Sequence, residues 1–257
     1  YVRIREIRKT LNSFGLVHIP IIIAGGVWWL SEWQDYINNP EIGAVAFQFG
    51  TRPILTKESP VADSWGPKLL NLRKEDILKN KFSPTGMYSS AINNNLLKRL
   101  NARLSREFAY SDEKNEDFDT KINFGNRSLF FKKSDESAIL GFVADGFSKF
   151  MKTPDHTLVL VTPEEGQQIL KDQGSCVGCL SYCKFSNWNQ KGIDYFDPDP
   201  RSFCIQQSLQ NVAQGKDLDD SLMFVGSNAY RFAEDPFYLD GNIPTVQQLV
   251  DRILTGY

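Results

Sequence analysis

The fold is decided by two stretches of the sequence, Ile19-Pro-Ile-Ile-Ile-Ala-Gly-Gly26 and Gly43-Ala-Val-Ala-Phe-Gln-Phe-Gly-Thr-Arg-Pro53. Both contain an apolar run, and the first run is rich in β-branched residues. Apolar runs of this length, bounded by turn signals, are typical of strands buried on both faces of a parallel sheet. Each run ends at glycine, which indicates a tight turn at the carboxyl end of each strand.

Helical spacing flanks the first predicted strand on both sides. Before it, apolar side chains recur at every third or fourth position, at Ile4, Ile7, Leu11 and Phe14. After it, a second set has the same spacing, at Trp29, Trp33, Tyr36 and Ile37. Helix, strand, helix and strand joined by short turns predict parallel α/β structure.

The character of the chain changes after Thr56. Residues 59–88 are rich in Pro, Gly and Lys, and residues 110–125 are acidic and predicted to form an exposed loop. Periodicity predicts helices over residues 92–108, 136–151, 164–172, 205–214 and 246–254, and strands over 129–132 and 157–162. We therefore divide the chain into a parallel α/β part, a helical and mixed extension, and a cysteine-rich tail, over residues 1–72, 73–172 and 173–257.

Composition and charge argue against several classes of protein. The chain has 29 Lys and Arg against 31 Asp and Glu, a net charge of -2, so neither nucleic-acid binding nor electrostatic membrane attachment is expected. The most apolar run, residues 19–30, is too short to span a bilayer and contains a proline and two glycines. The first residues lack the apolar core of a secretory signal, so a cytoplasmic protein is expected.

The two glycine turns are the first candidate site. In a parallel α/β array, the carboxyl end of each strand faces unpaired backbone N–H groups that bind anions, and glycine lets the backbone approach closely. Gly25-Gly26 and Gly50-Thr51 follow successive strands, and a pair of turns like this forms a phosphate site in (β/α)8 barrels. Thr51 adds a hydroxyl donor, and Gln48 is placed to reach further along a ligand. The same glycines are also explained by tight turns alone, and the residues leave both explanations open.

The same two stretches resemble the nitronate monooxygenase family. Ile21-Ile-Ile-Ala-Gly-Gly26 and Ala46-Phe-Gln-Phe-Gly-Thr-Arg52 resemble its strands that end in Ala-Gly-Gly and Gln-x-Gly-Thr-Arg. The resemblance extends along the chain through Phe82–Ser90, Cys176–Cys183, Phe185–Trp188, Asp199–Cys204 and Asn228–Ala233. It implies an FMN-dependent oxidoreductase in which six residues contact FMN: Gly25, Gly26, Gln48, Phe49, Gly50 and Thr51. It also implies the fold, the last two βα units of a TIM (β/α)8 barrel followed by a mostly helical α+β extension.

The resemblance does not supply a catalytic residue. A complete family member has six earlier strands and a histidine that accepts a proton from the nitroalkane. This chain has only His18 and His156, and neither matches the family position. The catalytic residue is therefore not assigned. We expect the chain to be the carboxy-terminal part of a longer protein, with the remainder of the barrel as its partner, since a (β/α)8 barrel needs eight strands.

The second candidate site is a group of cysteines. All four cysteines of the chain lie close together in the sequence, at Cys176, Cys179, Cys183 and Cys204. In a cytosolic protein such crowding favours a metal site over disulfides, and four thiolates suit a [4Fe–4S] cluster or Zn²⁺. The run Cys-Val-Gly-Cys-x-x-x-Cys also resembles the cluster loop of dienoyl-CoA reductases. Reduced thiols without metal are the third possibility.

Three functions follow from these sites. The first is an FMN-dependent oxidoreductase that oxidises small nitronates or nitroalkanes with O₂, with FMN performing the chemistry. The second is an iron–sulfur flavoprotein reductase of enoyl-type substrates. The third is a metal-binding structural module without activity.

Overall fold

The computed structural model describes residues 2–82, 87–179, 183, 185–186 and 198–256. Parts of the family-like motifs, residues 83–86 and 187–188, lie outside the described residues, as do residues 180–182 of the cysteine run. The α-helices are α1 (Val2–Ser13), α2 (Gly66–Leu70), α3 (Asn95–Leu104), α4 (Glu136–Ala144), α5 (Pro163–Gly174), α6 (Ile205–Gln214) and α7 (Val246–Thr255). The strands are β1 (Ile21–Ala24), β2 (Val45–Gln48), β3 (Ile77–Asn80), β4 (Ser89–Ile92), β5 (Glu107–Ala109), β6 (Thr120–Phe124), β7 (Arg127–Phe131), β8 (Lys149–Lys152) and β9 (Thr157–Val161).

The predicted parallel pairing of the first two strands is confirmed. β1 and β2 are parallel and in register, from Ile21 opposite Val45 to Ala24 opposite Gln48. The described residues contain no closed barrel, because this pair forms a sheet of two strands and every other strand pairing is antiparallel. The chain therefore has a mixed α/β fold, and the assignment of β1 and β2 to the last two units of a barrel stays a prediction.

The helix predicted after β1 is shorter than the sequence pattern indicates. A 3₁₀ helix covers only Leu30–Trp33, because Trp29 before it has an extended backbone conformation. Trp28 does not lie on a helix but is buried against Phe232, with the ring centroids 5.0 Å apart. The chain is therefore held at Trp28 by a tertiary contact with a residue 204 positions away in the sequence.

The extension contains more strand than predicted. Residues 120–131 form an antiparallel hairpin in which Thr120, Ile122 and Phe124 are buried, although the sequence up to Gly125 is predicted to be a loop. The alternation of apolar and polar residues in this hairpin is hard to see in the sequence, because an acidic segment precedes it. The helix predicted over residues 136–151 ends at Ala144, because Gly146 has a φ of 97° and the chain then enters β8. The helices α5, α6 and α7 agree with the predictions to within a few residues.

The apolar face predicted for α1 is not buried. Ile7 is 48% and Phe14 74% exposed, whereas the one buried side chain of α1 is Arg8. The Arg8 guanidinium donates to the carbonyl oxygens of Ile42, Val17, Ile19 and Ala44. Arg8 therefore fixes α1 to the backbone just before both strands of the parallel pair.

The largest core cluster joins the beginning and the end of the chain. Its buried members are Trp28, Leu55, Trp65, Leu69, Leu72, Ile92, Val212, Met223, Val225, Ala229, Phe232 and Tyr238. A second cluster lies between the β6–β7 hairpin, α4 and β9. None of the helices in the described part of the chain combines the length and the apolar composition needed to cross a bilayer. The division into three segments stays a prediction.

Candidate functional site

The two glycine turns lie at the same edge of the parallel pair. Because Ala24 is opposite Gln48, the chain leaves both strands side by side into Gly25-Gly26 and Gly50-Thr51. Gly25 and Gly26 have φ values of 83° and 73°, a left-handed conformation that favours glycine. A Cβ atom added to Gly25 or Gly50 would meet no atom within 4 Å. The edge is therefore open to a ligand at both turns.

Both turns contact a third turn from the carboxy-terminal part of the chain. The Gly226 N–H donates to Thr51 Oγ1 at 2.8 Å. The side chain of Asn228 donates from Nδ2 to the carbonyl oxygen of Gly26 at 2.9 Å. The segment Gly226–Asn228 therefore spans the two predicted turns. Sequence reasoning missed it, although Asn228 begins one of the family-like motifs.

Arg52, which follows the second turn, is buried completely beneath the site. Its Nη1 donates to the carbonyl oxygen of Trp28 at 2.8 Å, and its Nη2 lies 3.4 Å from Asp235 Oδ2. The same carboxylate oxygen accepts from Trp28 Nε1 at 2.9 Å. Since Trp28 follows the first turn and Arg52 the second, this network fixes the two turns relative to each other.

A stack of alternating arginine and tryptophan side chains extends this network. Successive guanidinium-to-ring distances along it are 5.4, 5.0, 4.2 and 5.3 Å, in the order Arg231, Trp28, Arg52, Trp29 and Arg252. Cation–π contacts of this kind contribute about 0.5–2 kcal/mol each, more when they are desolvated. Hydrogen bonding to Arg231 holds the pKa of Glu32 below its usual value. The stack therefore links Trp28, which follows the first turn, to Arg52, which follows the second.

The groups that this edge offers to a ligand differ in part from the predicted ones. The helices that follow the turns are 3₁₀ helices of four residues, Leu30–Trp33 and Arg52–Leu55, and they are too short to provide a helix dipole. What remains is the exposed glycine backbone and the Thr51 hydroxyl. Because Thr51 Oγ1 accepts the bond from Gly226, its proton is available for a ligand. Gln48 is exposed at the end of β2, and Phe49 beside it is half-buried.

Neither histidine lies in the glycine turns. His18 is exposed and precedes β1, so it lies at the opposite end of the strand from Gly25. His156 is exposed in the turn between β8 and β9, with a φ of 58°. The catalytic residue stays unassigned.

The cysteines are not arranged as the predicted metal site. In the described part of the chain, which includes Cys176, Cys179, Cys183 and Cys204, no three His, Cys, Asp or Glu side chains are grouped so as to hold a metal ion. Cys204 instead caps α6, where its Sγ accepts from the Gln207 N–H at 3.5 Å. Cys176 Sγ accepts from Ser186 Oγ at 3.0 Å. The structure gives no support to an iron–sulfur cluster or zinc, and neither enters the function proposed below.

The role of Cys204 as a helix cap leads to a prediction. Serine is a better N-cap than most residues, so Cys204→Ser should leave the free energy of unfolding unchanged or raise it. Cys204→Ala should lower it by about 1 kcal/mol, because the Gln207 N–H loses its acceptor. Urea denaturation of both variants, with and without a chelator, measures this. If Cys204→Ser instead lowers the free energy of unfolding, and a chelator lowers that of the unmodified protein in the same way, the result would support the four-thiolate metal site.

A model of one protein family matches the chain. It is described as nitronate monooxygenase, and it matches residues 5–256, which is nearly the whole chain. No curated protein and no solved structure matches the chain.

Proposed function

The chain belongs to the nitronate monooxygenase family, and we propose that it binds the phosphate of FMN at Gly25, Gly26, Gly50 and Thr51 as part of an FMN-dependent oxidoreductase. The observation that supports this most is the alignment of two glycine turns at one edge of a parallel pair, open at both Gly25 and Gly50. Exposed backbone N–H groups of this kind bind anions such as phosphate.

Each residue has a defined task in this proposal. The N–H groups of Gly25, Gly26 and Gly50 and the hydroxyl of Thr51 donate to phosphate oxygens. Gln48 and Phe49, just before the second turn, contact the ribityl chain or the edge of the flavin. Arg52 and Asp235 do not contact the cofactor but hold the two turns in place. When bound, FMN supplies the redox chemistry of the family, and the protein supplies binding, orientation and a dry pocket.

One face of the parallel pair supports a larger catalytic unit. Ile21 and Ile23 are buried, but Ile22 between them is 63% exposed on the opposite face. Parallel sheets are normally covered on both faces, because their connections place helices or further strands there. We infer that further parallel strands of the same barrel complete the catalytic unit around this face.

The substrate class is a small nitronate, and oxygen uptake tests it. Protein that carries this chain is loaded with FMN and given an alkyl nitronate in air. The proposal expects oxygen consumption that depends on the nitronate and needs no NAD(P)H. Reduction of an enoyl substrate by NAD(P)H, without turnover of nitronates, would contradict the proposed substrate and favour a reductase.

A further inference from the structure

We propose that the third turn, Gly226-Ser227-Asn228, is part of the phosphate site and that Ser227 donates a hydrogen bond to the phosphate. This inference rests on the proposed function, because it concerns the same ligand at the same edge of the sheet. It assigns a ligand-binding role to a segment more than 170 residues away in the sequence from the second glycine turn.

The third turn is held against both glycine turns at once. Gly226 on one side of Ser227 bonds to Thr51, at 2.8 Å, and Asn228 on the other side bonds to Gly26, at 2.9 Å. Ser227 therefore lies between two residues that each bond to one of the glycine turns. A Cβ atom added to Gly226 would lie 2.7 Å from Thr51 Oγ1, so the close approach of this turn requires glycine.

Both ends of the third turn are anchored in the core. On one side, Val225 is buried and its N–H donates to the Ser90 carbonyl at 3.1 Å. On the other side, the 3₁₀ helix Ala229–Phe232 packs its buried Phe232 ring against Trp28. The turn is thus fixed by the same tryptophan that follows the first glycine turn.

Ser227 itself is the exposed member of this turn. Its hydroxyl has no hydrogen-bond partner within the part of the chain that the structure describes, whereas its two neighbours are engaged. A hydroxyl group is a donor and acceptor that rotates to suit its partner, and hydrogen bonds to charged groups such as phosphate are the stronger class. Exposed backbone N–H groups, the Thr51 hydroxyl and the Ser227 hydroxyl together would surround a phosphate from three turns.

The inference is tested by replacing Ser227 with alanine and titrating FMN and riboflavin, which lacks the phosphate. Ser227→Ala should weaken FMN binding roughly tenfold, the loss expected for one hydrogen bond to a charged group. Its affinity for riboflavin and its melting temperature should not change, because the side chain is exposed. Ser148→Ala, at an exposed serine in the turn before β8, is the control and should bind both flavins as the unmodified protein does.

Gly226→Ala is a second test, because the added methyl group displaces Thr51. This variant should also weaken the binding of FMN more than the binding of riboflavin. If the unmodified protein prefers FMN to riboflavin but Ser227→Ala binds FMN equally well, the role of Ser227 is overturned and the proposed function is left intact. If the unmodified protein shows no preference for FMN, the proposed function fails, and this inference fails with it.

Discussion

Replacing Gly50 with valine should weaken FMN binding by at least about tenfold, and it should leave the fold intact. Gly50 is exposed, it does not have a positive φ, and a Cβ atom there meets nothing within 4 Å. A valine side chain is therefore tolerated by the protein, but it occupies the space through which a phosphate approaches the backbone N–H groups. The loss of one charge-assisted hydrogen bond costs about 1.5–3 kcal/mol, and 1.4 kcal/mol corresponds to a factor of ten in affinity.

The measurement is a fluorescence titration of FMN together with a melting curve. Gly174→Val is the matched control, because Gly174 at the end of α5 is also exposed and an added Cβ meets nothing there either. The control should bind FMN normally. An unchanged FMN affinity in Gly50→Val would show that the second glycine turn does not contact the ligand.

Replacing Arg52 with methionine should lower the free energy of unfolding by about 3–5 kcal/mol, the cost of removing one partner of a buried ion pair. The side chains of Arg52 and Asp235 are 0% and 2% exposed, so methionine leaves a buried carboxylate without its counter-charge. The variant also loses the hydrogen bond to the Trp28 carbonyl and the contacts with both tryptophan rings. Because Arg52 ties the two glycine turns together, FMN affinity should fall as well.

Urea denaturation of Arg52→Met and of a surface control distinguishes the contribution of the buried ion pair to stability from that of an exposed one. Arg99→Met is the control, because Arg99 and Asp220 form a pair whose side chains are 52% and 49% exposed. Exposed pairs contribute about 0–1 kcal/mol, so this variant should remain close to the unmodified protein. Equal destabilisation by the two substitutions would contradict the role assigned to the Arg52–Asp235 pair.

The local parts of the site were predictable from the sequence, because each depends on a short pattern. An apolar run that ends in glycine predicted both strands of the parallel pair and both turns. The spacing of apolar residues predicted α6 and α7. In these segments the local preference and the tertiary structure agree.

The long-range parts of the site were not predictable in this way. The bonds from Gly226 to Thr51 and from Asn228 to Gly26 join residues 175 and 202 positions apart, and no periodicity carries that information. The burial of Arg52 was hidden for the same reason, since a lone arginine after a glycine turn usually lies on the surface. Its counter-charge, Asp235, lies 183 positions away.

The cysteines show the opposite problem, a sequence pattern whose structural meaning is ambiguous. Crowded cysteines indicate a metal site, but a thiol is also a small, weakly polar side chain that fits where a helix begins. In the structure, Cys204 acts as an N-cap for α6. Spacing alone cannot distinguish a thiolate ligand from a thiol that accepts a backbone hydrogen bond.

The central claim is that the turns of this chain recognise a phosphate, and comparing FMN with riboflavin on purified, unmodified protein that carries this chain tests it most directly. The two ligands share the flavin ring and the ribityl chain and differ only in the phosphate. Fluorescence titration should give an affinity for FMN at least about tenfold higher than that for riboflavin, the effect of one or more hydrogen bonds to a charged group. Inorganic phosphate should compete with FMN. Equal affinities for FMN and riboflavin, or no binding of either, would contradict the account.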